Sequence, residues 1–308
     1  MLGNTDMHIT RIGFGAWAIG GGNWAFAWGP QDDGEAIAAI KRAVEVGMNW
    51  IDTAAVYGLG HSEELVGKAI KGMNPMPYIF TKCGLVWDEH RKTSQSLKAA
   101  SIRKECEASL ERLDIDVIDL YQVHWPVEAD IEEAWETLAQ LQREGKVRYI
   151  GVSNYNVEQM KKCQAIAPVS SLQPPYSLIS RDYEKEILPF CKENNIGVIV
   201  YSPMASGLLT GTMSRERIAA MPSDDWRRNS AYFKEPALTK HLALAEKLKA
   251  IGKKYGRSAG EVAIAWTLRN PAVTAAIVGG RSAAQVDGII KGWDVPLTEA
   301  DVEDLMIG

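Results

Sequence analysis

The sequence predicts a single α/β domain closed as a (β/α)8 barrel of parallel strands, with its active site at the C-terminal ends of the strands. Short apolar or β-branched runs alternate with longer stretches of helical period, the pattern of repeated βα units over a parallel sheet. The runs fall at residues 11–17, 48–52, 78–82, 117–123, 148–152, 171–173, 198–201 and 275–278, enough strands for a sheet to close on itself. The glycines after the first run, Gly13, Gly15 and Gly20, do not make GxGxxG, and no helical pattern follows them directly. That argues against an open dinucleotide-binding sheet.

The stretches between the runs carry helix signals. Asp33 stands where a cap would precede Ile37, Ile40 and Val44 on one face, and Gly47 follows as a stop. Ile131, Trp135, Leu138 and Leu141 share one stripe that ends before Gly145. Asn156 with Gln159, and Ser258 with Glu261, have the spacing at which two side chains cap each other's backbone. Residues 203–236, rich in Gly, Ser, Arg and Asp, break the rhythm. At about 34 residues this stretch is long for a passive connection and reads as a functional loop. No repeat, low-complexity tract or linker interrupts the rest, so residues 1–308 read as one domain.

Composition narrows the function. With 46% hydrophobic and 24% charged residues over 308 positions, the chain can bury a sizeable core. Its formal net charge of -5, with basic residues scattered among carboxylates, argues against a nucleic-acid or membrane surface and for small-molecule chemistry. The first ten residues show no cationic start before an apolar run, and no stretch approaches the roughly 20 apolar residues that span a bilayer. A cytoplasmic location is expected. Cys83, Cys106, Cys163 and Cys191 lie far apart without CxxC spacing, which suggests reduced structural thiols and no metal site. Oligomeric state is left open.

In a parallel barrel the active site forms at the carboxyl ends of the strands, so polar residues ending each run are the candidates. Asp52 ends the second run, Tyr57 follows in a glycine-bearing loop, Lys82 ends the third run and His124 ends the fourth. A buried Lys and Asp at neighbouring strand ends should pair. A nearby ammonium stabilises a phenolate, so Lys82 is expected to lower the pKa of Tyr57. Asp52 would hold Lys82 charged and oriented, and His124 could hydrogen-bond a substrate oxygen. Singly these residues also fit a structural ion pair, a core histidine and a surface tyrosine. Their joint placement at successive strand ends is what makes the set specific.

With Asp52-Thr53-Ala54, Tyr57, Thr81-Lys82, Val123-His124 and the block from Lys146 through Gly151-Val152-Ser153-Asn154, the sequence strongly resembles the aldo-keto reductase family. Tyr121-Gln122-Val123-His124-Trp125-Pro126 and Gln173-Pro174-Pro175-Tyr176 resemble its bacterial branch. The resemblance spans nearly the whole chain. It implies a (β/α)8 barrel, a catalytic tetrad of Asp52, Tyr57, Lys82 and His124, an NADPH/NADP+ cofactor and a small-molecule carbonyl substrate. Hydride would pass from nicotinamide C4 to the carbonyl carbon while Tyr57 protonates the oxygen.

The same resemblance assigns Ser153, Asn154 and Gln173 to the nicotinamide carboxamide and Tyr201 to stacking on its ring. It assigns the stretch containing Ser202, Met204, Gly207 and Leu208 to the pyrophosphate, where glycines let backbone approach phosphate. Gly279, Arg281 and Gln285 fall at the family's 2′-phosphate site, and Ser282 with Gln285 has capping-box spacing. The chain departs from the family at Thr212, where many relatives carry lysine, and at Gly288-Ile289, where a Glu-Asn pair is usual.

Trp24, Trp28, Trp87 and Trp125 follow strands one, three and four, where an apolar pocket would surround a carbonyl. Substrate identity stays open. The chain stops at Gly308, where relatives usually continue into a tail bordering the pocket. Two alternatives share the tetrad: a non-catalytic, cofactor-binding redox-sensing subunit, and a polyol or sugar dehydrogenase.

Overall fold

Alternation of side chains along each strand sets the architecture. The computed structural model describes residues 1–306; residues 307–308, the end of the expected domain span, lie outside the described residues. The strands are β1 (Ile12–Gly15), β2 (Trp50–Asp52), β3 (Tyr78–Cys83), β4 (Leu85–Trp87), β5 (Thr93–Gln95), β6 (Ile118–Val123), β7 (Val147–Ser153), β8 (Ser171–Gln173), β9 (Gly197–Val200) and β10 (Ala275–Gly279). Eight of them close a parallel barrel in the order β1-β10-β9-β8-β7-β6-β3-β2, and β4 and β5 form a separate antiparallel hairpin.

The helices are α1 (Asp33–Glu45), α2 (His61–Ile70), α3 (Ala99–Leu113), α4 (Ile131–Arg143), α5 (Val157–Gln164), α6 (Ile187–Glu193), α7 (Arg215–Ala219), α8 (Ala237–Tyr255), α9 (Ala259–Leu268), α10 (Ala283–Asp287) and α11 (Glu299–Met306). None of them is long and apolar enough to cross a membrane among the described residues.

Trp50, Phe80, Leu120 and Ile199 join Leu2 and Met7 in one buried cluster, while their strand neighbours Ile51, Ile79, Tyr121, Val198 and Val200 belong to the larger core shared with the helices. The period of two that separates them is that of a closed sheet. The N-terminal residues seal the lower end of the barrel. Gly3, at φ +49, lies so close to the backbone of Gly197, Asn195 and Ser170 that an added Cβ would sit 2.3 Å from Gly197 N.

The caps explain most helix ends. Asn156 with Gln159 and Ser258 with Glu261 form complete capping boxes. The cap of α1 is Asp32, which accepts from Glu35 N, and Asp33 is the first helical residue, one place later than its expected role. Ala36, Ala39, Ile40 and Ala43 are the buried face of α1, with Ile37 and Val44 only partly buried against the core. The stripe of Ile131, Trp135, Leu138 and Leu141 on α4 is wholly buried.

Other departures follow from tertiary packing. The first run ends as a strand at Gly15, and Trp17–Ile19 turn into a 3-10 helix; the last run extends to Gly279. Tyr201 lies just past β9 in an isolated bridge with Pro175. The β4–β5 hairpin was not signalled, because each strand is only three residues long, one uniformly apolar and the other uniformly polar, without alternation. Residues 203–236 hold helix α7 and 3-10 turns at Ala205–Thr210, Trp226–Asn229 and Ala231–Phe233, so the expected loop is a packed segment.

Gly13 is a position where volume decides the packing. A Cβ there would fall 2.0 Å from the ring of Trp50, itself 0% exposed. Gly13→Ala is therefore expected to lower unfolding stability by about 1–3 kcal/mol, the usual penalty of overpacking, read from denaturant midpoints. An unchanged midpoint would contradict this packing.

Candidate active site

The strand register brings the charged residues together. Asp52 ends β2 opposite Phe80 of β3, and Lys82 lies two residues beyond Phe80. Lys82 Nζ donates to Asp52 Oδ1 at 2.6 Å, to Thr53 O at 2.8 Å and to Tyr57 OH at 3.3 Å. Its side chain is 0% exposed, so an ammonium placed there needs all three partners. His124 follows β6 directly, with its ring centroid 5.7 Å from that of Tyr57 and nearly perpendicular to it.

The loop carrying Tyr57 is fixed at both ends. Tyr57 N donates to Ala54 O, and Ser62 N at the start of α2 donates to Tyr57 O. Ser62 Oγ donates to Ala16 O and pairs with Thr53 Oγ1, tying this loop to the ends of β1 and β2. Gly58, at φ +65, presses on Gly20 so closely that only glycine fits.

Titration in this setting differs from the expectation in one respect. Burial first, and the Asp52 carboxylate second, push the Tyr57 phenol well above its ordinary value. The expected lowering by Lys82 does not prevail, because burial of the phenol, with the Asp52 carboxylate beside it, outweighs the ammonium. Tyr57 therefore keeps its proton across the neutral range. Burial lowers Lys82, against the opposing effect of Asp52. Burial and Lys82 hold His124 well below the ordinary histidine value, so its imidazole is neutral.

The second oxygen of Asp52 is also engaged, by residues across the barrel. Gln173 Nε2 donates to Asp52 Oδ2 at 2.8 Å and to Gln122 Oε1 at 3.3 Å, and Gln122 Nε2 lies 3.4 Å from the same Asp52 oxygen. Gln122 was not among the expected site residues. Its place in the strand just before His124, at a position otherwise apolar, was the available signal.

The groups expected around a nicotinamide lie on adjoining strand ends. Ser153 Oγ donates to Gln173 O, Asn154 Nδ2 donates to His124 O and Ser153 Oγ, and Tyr201 OH donates to Asn154 Oδ1. Beyond Tyr201, Ser202, Ala205, Ser206 and Gly207 all have positive φ, a backbone that can present successive N–H groups to an anion. This combination of amides, hydroxyls, an aromatic ring and left-handed backbone fits a nicotinamide dinucleotide. Met204 is half-buried beside this turn, and Leu208 turns into an apolar cluster with Met213 and Phe233.

The expected phosphate end is less simply arranged. Ser282 accepts from Gln285 N, but Gln285 Oε1 accepts from Arg281 N rather than from Ser282 N, so only half of the capping box forms. Gly279 pairs with Gly15 at the end of β10. Arg281 donates to Trp28 O, Gln31 Oε1 and Pro30 O, which ties it to the loop after β1. Thr212 accepts from Arg217 Nη1. Among the described residues no cluster of His, Cys, Asp and Glu could hold a metal ion, and all four cysteines are free and buried.

Of the expected aromatic wall, Trp24 lies 6.3 Å from the Tyr57 ring and Trp28 meets Trp17 edge-on at 5.3 Å. Trp87 does not join it: its ring lies under Arg112, and Leu85 of the same hairpin packs with the Tyr57 cluster instead. Trp125 is 43% exposed. Two indoles were missed. Trp17 stacks on Tyr57 at 6.2 Å, and Trp226 stacks on Trp17 at 5.2 Å. Trp17 was hidden as the end of an apolar run, and Trp226 by its distance in sequence.

Behind β3, buried Glu105 accepts from Gly84 N at 2.9 Å and Ser101 Oγ at 3.1 Å, bracing the chain two residues past Lys82. Burial pushes Glu105 up to about 7 from an ordinary 4.5. The folded state thus retains a proton that the unfolded chain has lost between these values, and stability falls as pH rises through that window. Glu105→Gln is expected to remove this slope. Between pH 5 and pH 8 its stability relative to wild type should rise by up to about 3 kcal/mol in denaturant titrations. A difference independent of pH would contradict it.

Comparison with known proteins follows the same lines. Residues 11–306 match the model of the Aldo/keto reductase family. The chain is 39% identical to aldo-keto reductase YhdN of Bacillus subtilis (strain 168), over 99% of this chain and 91% of the relative. It is 35% identical to the NADH-specific methylglyoxal reductase of Escherichia coli (strain K12), over 97% and 94%. The glycerol dehydrogenase of Gluconobacter oxydans superimposes with a TM-score of 0.89 and 38% identity, covering 99% of this chain and 93% of that one.

Proposed function

The chain belongs to the aldo/keto reductase family, and from that premise we propose that it reduces aldehydes or ketones to alcohols with NADPH, taking the proton from Tyr57. The observation that carries the reading is Lys82 Nζ held between Asp52 Oδ1 and Tyr57 OH, beside the ring of His124.

A bound reduced nicotinamide supplies a hydride to the carbonyl carbon. The remaining work falls to the protein. Tyr57 OH gives its proton to the carbonyl oxygen, which becomes the alcohol. Lys82 Nζ donates to the phenol oxygen and stabilises the phenolate left behind. Asp52, fixed by Gln173 and Gln122, keeps Lys82 charged and aimed. The neutral His124 can donate an N–H to the substrate oxygen and orient it for protonation. A raised phenol pKa suits this sequence, since Tyr57 stays protonated until negative charge develops on the substrate oxygen.

Ser153, Asn154 and Gln173 would hold the carboxamide, with Tyr201 against the ring. Trp17 and Trp24 beside Tyr57, with Trp28 packed on Trp17, favour a small carbonyl compound with an apolar or stackable face. Arg281 supports NADPH over NADH, by charge and by its place after β10. The similar methylglyoxal reductase is described as NADH-specific, which supports a second cofactor reading. The similar glycerol dehydrogenase supports a second direction, oxidation of a polyol through the same tetrad.

The test is cofactor absorbance with NADPH and NADH against aldehydes, α-dicarbonyls and sugars, and with NADP+ and NAD+ against polyols. Turnover of carbonyls with NADPH is expected. Tyr57→Phe should lower it by about a hundredfold or more while leaving NADPH affinity nearly unchanged. Substantial turnover in that variant would remove Tyr57 as the acid, and tight cofactor binding without turnover on any substrate would favour the redox-sensing reading.

A further inference from the structure

Gln122 is a buried amide in a wall otherwise suited to apolar side chains. It is 0% exposed and lies on β6 in register with Lys82 of β3 on one side and Gly151 of β7 on the other. Gly151 leaves the room that it fills, since a Cβ there would lie 3.3 Å from Gln122 Cγ. Two residues earlier on the same face stands Leu120, which packs with Phe80 and Trp50 in the apolar layer below. A leucine at 122 would continue that layer, whereas an amide needs partners at both of its ends.

Those partners are Gln173 and Asp52. A carboxylate only accepts, so both amides must turn their N–H groups toward Asp52, which settles which end of each side chain is which. Gln173 Nε2 donates to Asp52 Oδ2 and to Gln122 Oε1, and Gln122 Nε2 donates to the same Asp52 oxygen. The three side chains close a ring on the oxygen that Lys82 does not use. Ser171 Oγ, beside the gap at Gly151, is buried without a partner, so the Gln122 amide is committed to this ring.

The ring uses up both N–H groups of Gln173, and among the described residues nothing donates to its Oε1. Oε1 is therefore the atom left for the N–H of a carboxamide. A bond on that side draws Gln173 away from Asp52, and the two inward bonds resist it. With Asp52 as sole anchor the amide would turn about a single bond, and Oδ2 would follow it or lose its donor. A second anchor at Gln122 fixes the amide plane.

We propose that Gln122 is a positioning residue for proton transfer from Tyr57: it anchors Gln173 so that one side chain serves the cofactor's carboxamide and Asp52 together, and Asp52 stays aimed at Lys82 while the cofactor is bound. The inference rests on the functional reading above. It gives Gln122 no contact with cofactor or substrate, so its loss belongs in turnover and not in cofactor affinity. Facing position 122 are the charged Lys82 and Asp52, with Tyr57 and His124 beyond them at the mouth, and the uncharged Gly151, Ser171 and Gln173 of β7 and β8. A carboxyl group placed there would be held above the ordinary glutamate range by burial and by Asp52, which already pairs the opposing charge of Lys82.

The experiment compares wild type with Gln122→Met, which keeps the volume without the hydrogen bonds, and Gln122→Glu, which keeps the shape and adds a titratable group. NADPH affinity is read from indole fluorescence without carbonyl substrate. The kcat for the aldehyde that wild type reduces fastest is read from about pH 5 to pH 9, relative to wild type at each pH. Gln122→Met should bind NADPH within about threefold of wild type and lose kcat by about ten- to a hundredfold at every pH, the size of a lost hydrogen bond to a charged group. Gln122→Glu should stand close to wild type at the acid end, where its protonated carboxyl donates to Asp52 and accepts from Gln173, and fall toward Gln122→Met as it ionises. Wild-type kcat in Gln122→Met would overturn the proposal. So would equal losses in both variants at every pH, the mark of packing alone, or a loss confined to NADPH affinity. Wild-type protein that reduced no carbonyl would overturn the functional reading and this inference with it.

Discussion

A fully buried ammonium is the constraint around which the mouth of the barrel is organised. Lys82 cannot hold its charge away from water unless acceptors surround it, and Asp52, Thr53 O and Tyr57 OH are those acceptors. Asp52 in turn uses both oxygens, one on Lys82 and the other on Gln173 and Gln122. One ion pair thereby couples the ends of β2, β3, β6 and β8, strands far apart in sequence. Barrel closure brings these ends together, and removal of either partner would leave the other charge stranded.

The same constraint shapes the chemistry. Without Asp52, burial alone would oppose ionisation of the Tyr57 phenol, and Lys82 would itself hold its proton less firmly. With Asp52 in contact, the pair is nearly neutral from a distance, and burial governs both Tyr57 and His124. The proposed acid is therefore protonated and the proposed orienting imidazole neutral. Stabilisation by Lys82 is then largest as charge leaves the phenol, which is where a catalyst gains by it.

Much of this was legible in the sequence because period and position carry it. The eight runs marked the barrel strands to within a residue or two at most ends, and polar residues ending apolar runs marked Asp52, Lys82 and His124. What escaped depended on contacts between distant segments. Gln122 looked like one polar residue within a strand, Trp226 like part of a long loop, and Trp17 like the end of an apolar run. The β4–β5 hairpin had no alternation to show. The direction of the Tyr57 shift was misread because proximity to Lys82 is visible in a motif, whereas the depth of burial is not. The motif that placed Arg281 at a 2′-phosphate site did not show that its guanidinium is tied to carbonyls of the loop after β1.

The balance between Asp52, Lys82 and Tyr57 is tested most directly by the pH dependence of kcat for carbonyl reduction at saturating cofactor, in wild type and Asp52→Asn. Asp52 raises both Tyr57 and Lys82, so in its absence both groups lose their protons more readily. The account predicts that the alkaline fall in kcat moves to lower pH in Asp52→Asn, along with a lower maximum. A reduced maximum with the alkaline limb unmoved would mean that Asp52 supports the site sterically and does not set the protonation of the proton donor.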